Sequence, residues 1–241
     1  MVEVRYDGGR LDPLISIIVP VYNEADTIGA VLERLLTIDL PLPREIIAVN
    51  DGSRDGTAAA LDRVAATSPL ITAIHQPVNG GKGKALRTAF ARTRGSIVAI
   101  QDADLELDPA QLAFLVEPLM RGDADAVYGS RFLSGTARVP LMTRIGNAGL
   151  TFITNALYGA RLTDMETCYK IMQGDLARSL ELTADRFDIE PEITVALLKR
   201  RARITELPVE FSPRSKAAGK KIRWRDGWHA VDLLVRHRFS R

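Results

Sequence analysis

The chain of 241 residues has a single cysteine, Cys168, so no internal disulfide can form and no Cys/His set has zinc-ligand spacing. Its three histidines, His75, His229 and His237, have no serine or cysteine in a recognisable nucleophile turn, which argues against a hydrolase triad. No stretch reaches ~18 consecutive apolar residues, so no transmembrane helix is expected. The first ten residues are charged and lack an apolar signal core. No Gly-x-Gly-x-x-Gly follows the first apolar run and no Gly-Lys-Ser/Thr loop occurs, which sets aside a dinucleotide-binding Rossmann site and a P-loop. Internal repeats and low-complexity linkers are also lacking. Net charge is small, +2, but unevenly spread. Residues 214–241 carry nine Lys or Arg against Asp226 and Asp232. Such a run is either a solvated surface or a seat for phosphates.

What is present suffices for a folded core. With 46% hydrophobic and 26% charged residues, the chain reads as one large domain or one domain with an appendage. The division expected is 1–213 for the domain and 214–241 for a basic extension. Apolar runs and helical spacings alternate in the first half. Strands are predicted at 14–19 (stopped by Pro20), 45–49, 71–75 and 97–100. Helices are predicted at 27–37 with Asp26 as cap, 57–66 and 84–93. This rhythm predicts an α/β fold with a mostly parallel sheet and helices on both faces. Further on, helices are expected at 109–120 (capped by Asp108), 143–158 and 190–201, a brief strand at 126–128, and an edge strand at 204–211. Ligands bind beyond the carboxyl ends of parallel strands, and the polar clusters fall at those ends.

The most telling cluster is Asp102-Ala103-Asp104-Leu105-Glu106, directly after the apolar run 97–100. In extended chain, residues two apart lie on one side, about 6–7 Å apart. Carboxylates so placed repel one another and suit a hard divalent cation, Mg²⁺ or Mn²⁺, shared with substrate phosphates. Asp102, Asp104 and Glu106 are the candidate metal ligands. Taken alone, Asp-x-Asp also fits a polar turn. Asn79-Gly80-Gly81-Lys82-Gly83 opens a helix and can meet a phosphate through backbone N–H groups and Lys82, or be a plain loop.

Taken in order, Pro20-Val21-Tyr22-Asn23-Glu24, Asn50-Asp51-Gly52-Ser53, Asn79 to Gly83 and Asp102-Ala103-Asp104 resemble the signature of family 2 glycosyltransferases with the GT-A fold. The resemblance spans residues 14–211. Gly129-Ser130-Arg131-Phe132, the segment 163–170 and the segment 187–193 resemble the polyprenyl-phosphate sugar synthase branch, of the dolichol-phosphate mannose or glucose type. The resemblance implies a nucleoside-diphosphate sugar donor, such as GDP-mannose or UDP-glucose. Pro20, Tyr22, Glu24, Asp51, Lys82, Asp102 and Ala103 would bind its nucleotide. The family commonly has two aspartates where this chain has Asn50-Asp51. The implied acceptor is a polyprenyl phosphate, already ionised and needing no strong base. Its charge calls for arginines: Arg131 first, then Arg144 and Arg214. Asp104 and Arg131 are the implied catalytic pair, with Asp164 and Lys170 shaping the site, and transfer would invert the anomeric carbon.

A lipid acceptor implies a peripheral enzyme at the cytoplasmic face of the membrane. Trp224, Trp228 and the neighbouring cations suit the headgroup zone, or else form a helix packed on the domain. Nucleic acid is not an expected partner. A family 2 enzyme with a soluble or polysaccharide acceptor is the alternative; a non-catalytic nucleotide-sugar-binding or membrane scaffold protein is the alternative from another class.

Overall fold

The computed structural model describes residues 13–133, 135, 139–213 and 224–239. A seven-stranded sheet runs in the order β3-β2-β1-β4-β6-β5-β7. Its strands are β1 (Ile15–Val21), β2 (Arg44–Asn50), β3 (Ile71–His75), β4 (Ile97–Ile100), β5 (Ala126–Ser130), β6 (Lys170–Gln173) and β7 (Ile204–Pro208). β1 pairs in parallel with β2 and β4, and β5 with β7, while β6 is antiparallel to both its neighbours. The expected mostly parallel sheet is therefore present, with β6 inserted into it.

Helices α1 (Ile28–Thr37), α2 (Thr57–Ala65) and α3 (Lys82–Phe90) link the first four strands. β1 and β4 are near-continuous apolar runs because both faces are covered; Ile15, Ile17, Ile18, Val98 and Ile100 are fully buried. The strand order reverses between β1 and β4, which opens a crevice at their carboxyl ends.

Three local expectations are corrected. Pro20 does not stop β1, which continues to Val21. The Ile18 carbonyl accepts from Gln101 N on the β4 side, and Pro20, two residues on, faces that side just past the end of β4's pairing. Its missing N–H costs no ladder bond. Thr27, not Asp26, stands at the cap of α1, and its hydroxyl donates to Glu24 Oε2 at 2.9 Å. The single helix expected at 109–120 is a 3₁₀ turn, Pro109–Gln111, then two one-turn helices, α4 (Leu112–Leu115) and α5 (Glu117–Met120). Pro118 lacks the N–H that would bond to Phe114 and so breaks the helix. Asp108 caps the 3₁₀ turn as expected, accepting from Ala110 N at 3.0 Å.

The second half adds α6 (Leu141–Tyr158), α7 (Gly174–Arg178), α8 (Ile189–Lys199) and α9 (Trp224–Phe239). The inward side of α6 is mixed: Leu150, Ile153 and Leu157 pack against the core, while Asn147, Thr151 and Asn155, four residues apart, hold the backbone of 162–166 by hydrogen bonds of 2.8–3.2 Å. α9 lies against α6 and α8. Leu234 is fully buried there, and its carbonyl accepts from the Tyr158 hydroxyl at 2.8 Å.

Candidate active site

The turns after β1 and β2 are bound to each other. Asn23 adopts φ +52, donates from its backbone N to Ser53 Oγ, and accepts from Arg54 N at Oδ1, both at 2.9 Å. Glu24 N donates to Thr57 Oγ1 at 2.8 Å. Pro20, Tyr22 and Glu24 thereby line up at the end of β1 beside Asp51. Asp51 is buried and accepts from Asn79 Nδ2, Gly80 N and Gly81 N, each at 2.7 Å. Burial pushes its carboxyl above the usual aspartate range, and the two backbone donors and nearby Lys84 and Arg186 only partly offset this. Its visible work is to fold the glycine loop that starts α3. Gly81 sits at φ +98, and a Cβ there would collide with the Asp185 carbonyl, so the close approach requires glycine. Asn50, in place of a second aspartate, links Ser53 N to His75 Nδ1, and His75 Nε2 reaches Asp62 at 2.9 Å. A cavity of about 410 Å³ opens on this outer side and includes Asn50, Arg54, His75 and Asn79, apart from Asp102 and Asp104.

The carboxylates stand where the sequence places them, at the end of β4. Asp102 Oδ1 lies 2.8 Å from Lys82 Nζ, which also lies 2.9 Å from Glu190 Oε1. Glu190 Oε2 is 2.5 Å from Lys170 Nζ, and Lys170 also donates to the Thr167 carbonyl at 2.6 Å. The result is a buried relay, Asp102–Lys82–Glu190–Lys170, with balanced charge. Burial disfavours the charged form of Asp102, but Lys82 and the Cys168 thiol together hold its carboxyl below the usual range. Burial likewise opposes the Lys82 cation, yet Asp102 and Glu190 raise it well above an ordinary lysine. Burial and the nearby Asp102 charge keep Cys168 protonated.

Asp104 Oδ1 accepts from Glu106 N at 3.1 Å, closing a small turn in which Leu105 takes φ +60. Ala103 between the two aspartates is buried. Among the described residues no three His, Cys, Asp or Glu side chains gather as a ready-made cation cage. The partly exposed pair Asp102 and Asp104 still fits Mg²⁺ or Mn²⁺ by its chemistry: such ions take one or two carboxylates and complete their shell with water and phosphate oxygens.

Arg131, at the end of β5, is almost enclosed. Asp164, fully buried, takes its Nε and Nη2 at 2.7 Å each and its backbone N at 3.0 Å. Burial opposes this cation, but the Asp164 carboxylate outweighs it and raises the guanidinium further. The rings of Phe132 and Phe211 lie 5.7 and 5.5 Å from it. Glu206 in turn accepts from Thr163 N and Asp164 N, which fixes the carboxylate that fixes the arginine. The Asp164 pairing takes one edge of the planar guanidinium, through Nε and Nη2. Arg144 is exposed on the first turn of α6, outside this enclosure, and Arg214 lies outside the described residues.

Sequence reasoning missed two members. Glu190 joins both lysines of the relay; the segment 187–193 drew notice as a motif, without a role for its glutamate. Glu166 has an Oε1 atom shut off from solvent and without a hydrogen bond, and burial pushes its carboxyl to about 7 despite Lys170 and Arg131 nearby. Both lie in the family-like segments 163–170 and 187–193, but no local spacing assigns them a role, because the lysines facing them come from α3 and β6.

Glycosyl transferase family 2 matches residues 16–179, well over half of the chain. The chain belongs to that family. Among curated proteins, this family 2 glycosyltransferase is 28% identical over 229 residues to the low-salt glycan biosynthesis hexosyltransferase of Haloferax volcanii, covering 92% of the chain but only 53% of that longer protein. It is 31% identical to a dolichyl-phosphate beta-glucosyltransferase of Trichomonas vaginalis (82% of the chain, 65% of the relative). It is 29% identical to the undecaprenyl-phosphate mannosyltransferase of Micrococcus luteus (84% and 85%). The GT-A fold is shared with glucosyl-3-phosphoglycerate synthase of Mycobacterium tuberculosis, solved with Mn²⁺, UDP and phosphoglyceric acid, at TM-score 0.74 and 20% identity over 95% of this chain and 80% of that one.

Proposed function

We propose that this glycosyltransferase moves a hexose, mannose or glucose, from a nucleoside-diphosphate sugar to a polyprenyl phosphate with inversion. The observation that carries the reading is Asp102 and Asp104 at the crevice between β1 and β4, beside the buried cations Lys82, Lys170 and Arg131. Each of these cations is paired with a carboxylate, so a divalent cation held by Asp102 and Asp104 would supply the positive charge that lets a diphosphate and a phosphate lie together. The printed names of the dolichyl- and undecaprenyl-phosphate relatives support a lipid phosphate as acceptor. The UDP and divalent cations bound by the structural neighbours support a metal-assisted nucleotide donor.

In this reading the base and ribose rest on Pro20, Tyr22, Glu24 and Asp51. Asp51 keeps the 79–81 loop folded and offers a further lone pair to a base N–H. Asp102 and Asp104 would hold Mg²⁺ or Mn²⁺, which when bound stabilises the charge on the departing diphosphate. Lys82, anchored by Asp102 and Glu190, sets a cation at the same end. Arg131 offers the edge that Asp164 does not take to the acceptor phosphate, assisted by Arg144 and Arg214. A phosphate oxygen then bonds to the anomeric carbon as the bond from that carbon to the diphosphate oxygen breaks. A dianionic acceptor has no proton to remove, so no strong base is required. We place the enzyme peripherally at the cytoplasmic face of a membrane, in keeping with the lone thiol Cys168.

The test is transfer of label from GDP-mannose and UDP-glucose, in parallel, to a polyprenyl phosphate with Mg²⁺ or Mn²⁺. Label in the organic phase from one donor supports the reading and names the sugar; Asp104→Ala should abolish it. Arg131→Lys keeps the charge but loses the bidentate geometry, so transfer should fall while donor hydrolysis in water persists. Metal-dependent hydrolysis with no organic label from either donor would point to a soluble or polysaccharide acceptor instead.

A further inference from the structure

α6 carries on its outside what a helix normally buries. Met142 is 73% exposed, Ile145 56% and Phe152 72%, and with Gly149 they follow the spacing i, i+3, i+7, i+10, a single stripe. Leu141, 69% exposed, flanks its start. The opposite face is committed to the backbone of 162–166 through Asn147, Thr151 and Asn155, so the helix cannot rotate its apolar stripe inward without losing those bonds. Scattered exposed apolar residues need no explanation, but an ordered stripe on one helix does. The 18 residues of α6 contain no acidic side chain, and their one charge is the exposed Arg144. An apolar stripe with cationic and no anionic charge complements a lipid surface bearing anionic headgroups.

We propose that the outer face of α6 docks on an anionic bilayer, with Met142, Ile145 and Phe152 entering the boundary between headgroups and acyl chains. This rests on the lipid-phosphate reading and supplies its geometry. The segment that α6 holds on its inward face contains Asp164, which clamps Arg131. Seating the stripe on the bilayer therefore sets the phosphate-gripping arginine one layer of structure above the headgroup plane, where a polyprenyl phosphate presents its phosphate. The main anchor becomes α6 and not the basic run of 214–223.

The experiment is flotation of the full chain with phosphatidylglycerol or phosphatidylcholine vesicles, free of acceptor, at low and high salt. The wild type should float with the anionic vesicles. The variant Met142→Ser/Ile145→Ser/Phe152→Ser should lose roughly tenfold or more of that binding. It should keep donor hydrolysis and transfer to a short-chain, water-soluble prenyl phosphate, and lose transfer to a long-chain acceptor in vesicles. Wild type that stays at the bottom with both vesicles overturns the proposal, as does a stripe variant that floats unchanged while Lys220→Ser/Lys221→Ser does not. Wild type that is dimeric, with a monomeric stripe variant and no flotation, overturns it in favour of a contact between copies. Should the triple variant fail to fold, a fluorophore on Phe152→Cys decides: it should shift to the blue on anionic vesicles while one on Glu181→Cys does not, and an unchanged Phe152→Cys signal overturns the proposal. Absence of transfer to the short-chain acceptor, with flotation intact, sinks the acceptor reading and leaves the docking face standing.

Discussion

Glu190 carries more of the site than any other single side chain. Its side chain is 5% exposed and bridges Lys82 and Lys170, whose own side chains are 14% and 0% exposed. Removing one partner of a buried ion network strands the rest, which costs ~3–5 kcal/mol. Glu190→Ala should therefore lose about that much stability in chemical denaturation. It should also weaken donor binding, because Lys82 keeps only Asp102; undiminished stability would show that the lysines find water or another partner. Glu166 predicts a pH effect. Its carboxyl is pushed from about 4.5 in the unfolded chain to about 7 in the fold, chiefly by burial. The folded state then binds more protons across that window, so this group's contribution is fullest below pH 4.5 and is lost as pH rises through about 7. Glu166→Gln removes the penalty. Allowing for partial solvent access, the variant should gain ~1 kcal/mol at pH 8, about 2–4 °C in Tm, with no gain at pH 4.5. A Tm difference that does not vary with pH would refute the assignment.

The elements show which features the amino-acid order makes legible. β4 falls where its apolar run predicts, since a buried parallel strand needs little besides a short run of large apolar residues between breakers, and β3 falls at its predicted place as a half-exposed edge strand. The Asp-x-Asp turn at the end of β4 was legible for the same reason: it lies next to its strand. β6 was not, because Lys170-Ile171-Met172-Gln173 is four residues long with polar ends, and only pairing with β4 and β5 makes it a strand. Arg131 was legible through its neighbours Gly129 and Ser130, but its carboxylate partner lies 33 residues away and no local signal joins them. α6 was expected as a helix at 143–158, but the direction of its apolar stripe could not be read, because the inward face is selected in part by backbone groups of 162–166. The glycine loop supplies the prediction at this scale. A Cβ on Gly83 would run into the backbone of Ala184 and Asp185, which α8 holds in place by Glu192 accepting from Thr183 N and Ala184 N. Backbone cannot yield as a flexible side chain does, so Gly83→Ala should destabilise by ~1–3 kcal/mol. Since α3 starts at Lys82, the same variant should raise the Km for the donor; a normal melting curve and Km would mean that the 184–185 segment gives way.

At the scale of the molecule, the question is whether residues 214–241 are an appendage to a domain that ends at 213. α9 closes over both elements that shape the site from behind. It covers α8, whose first turn carries Glu190 and Glu192, and α6, whose inward face orders the segment bearing Asp164. The contact is specific: Leu234 is fully buried, Lys199 Nζ donates to the His237 carbonyl at 3.0 Å, and Arg238 Nε donates to the Leu157 carbonyl at 2.8 Å. Among the described residues no helix is long and apolar enough to cross a membrane. We predict that Leu234→Ala costs ~2–5 kcal/mol, as for other fully buried leucines, in a single cooperative transition. Truncation after Pro213 should cost more and also reduce donor affinity, because Glu190 and Asp164 lose the layer that holds their elements. Differential scanning calorimetry with titration of UDP and GDP on both variants separates the outcomes. An unchanged Tm and nucleotide affinity in the truncated chain would make 1–213 a self-sufficient domain and α9 an accessory. A fall in both would make the C-terminal helix part of the catalytic fold.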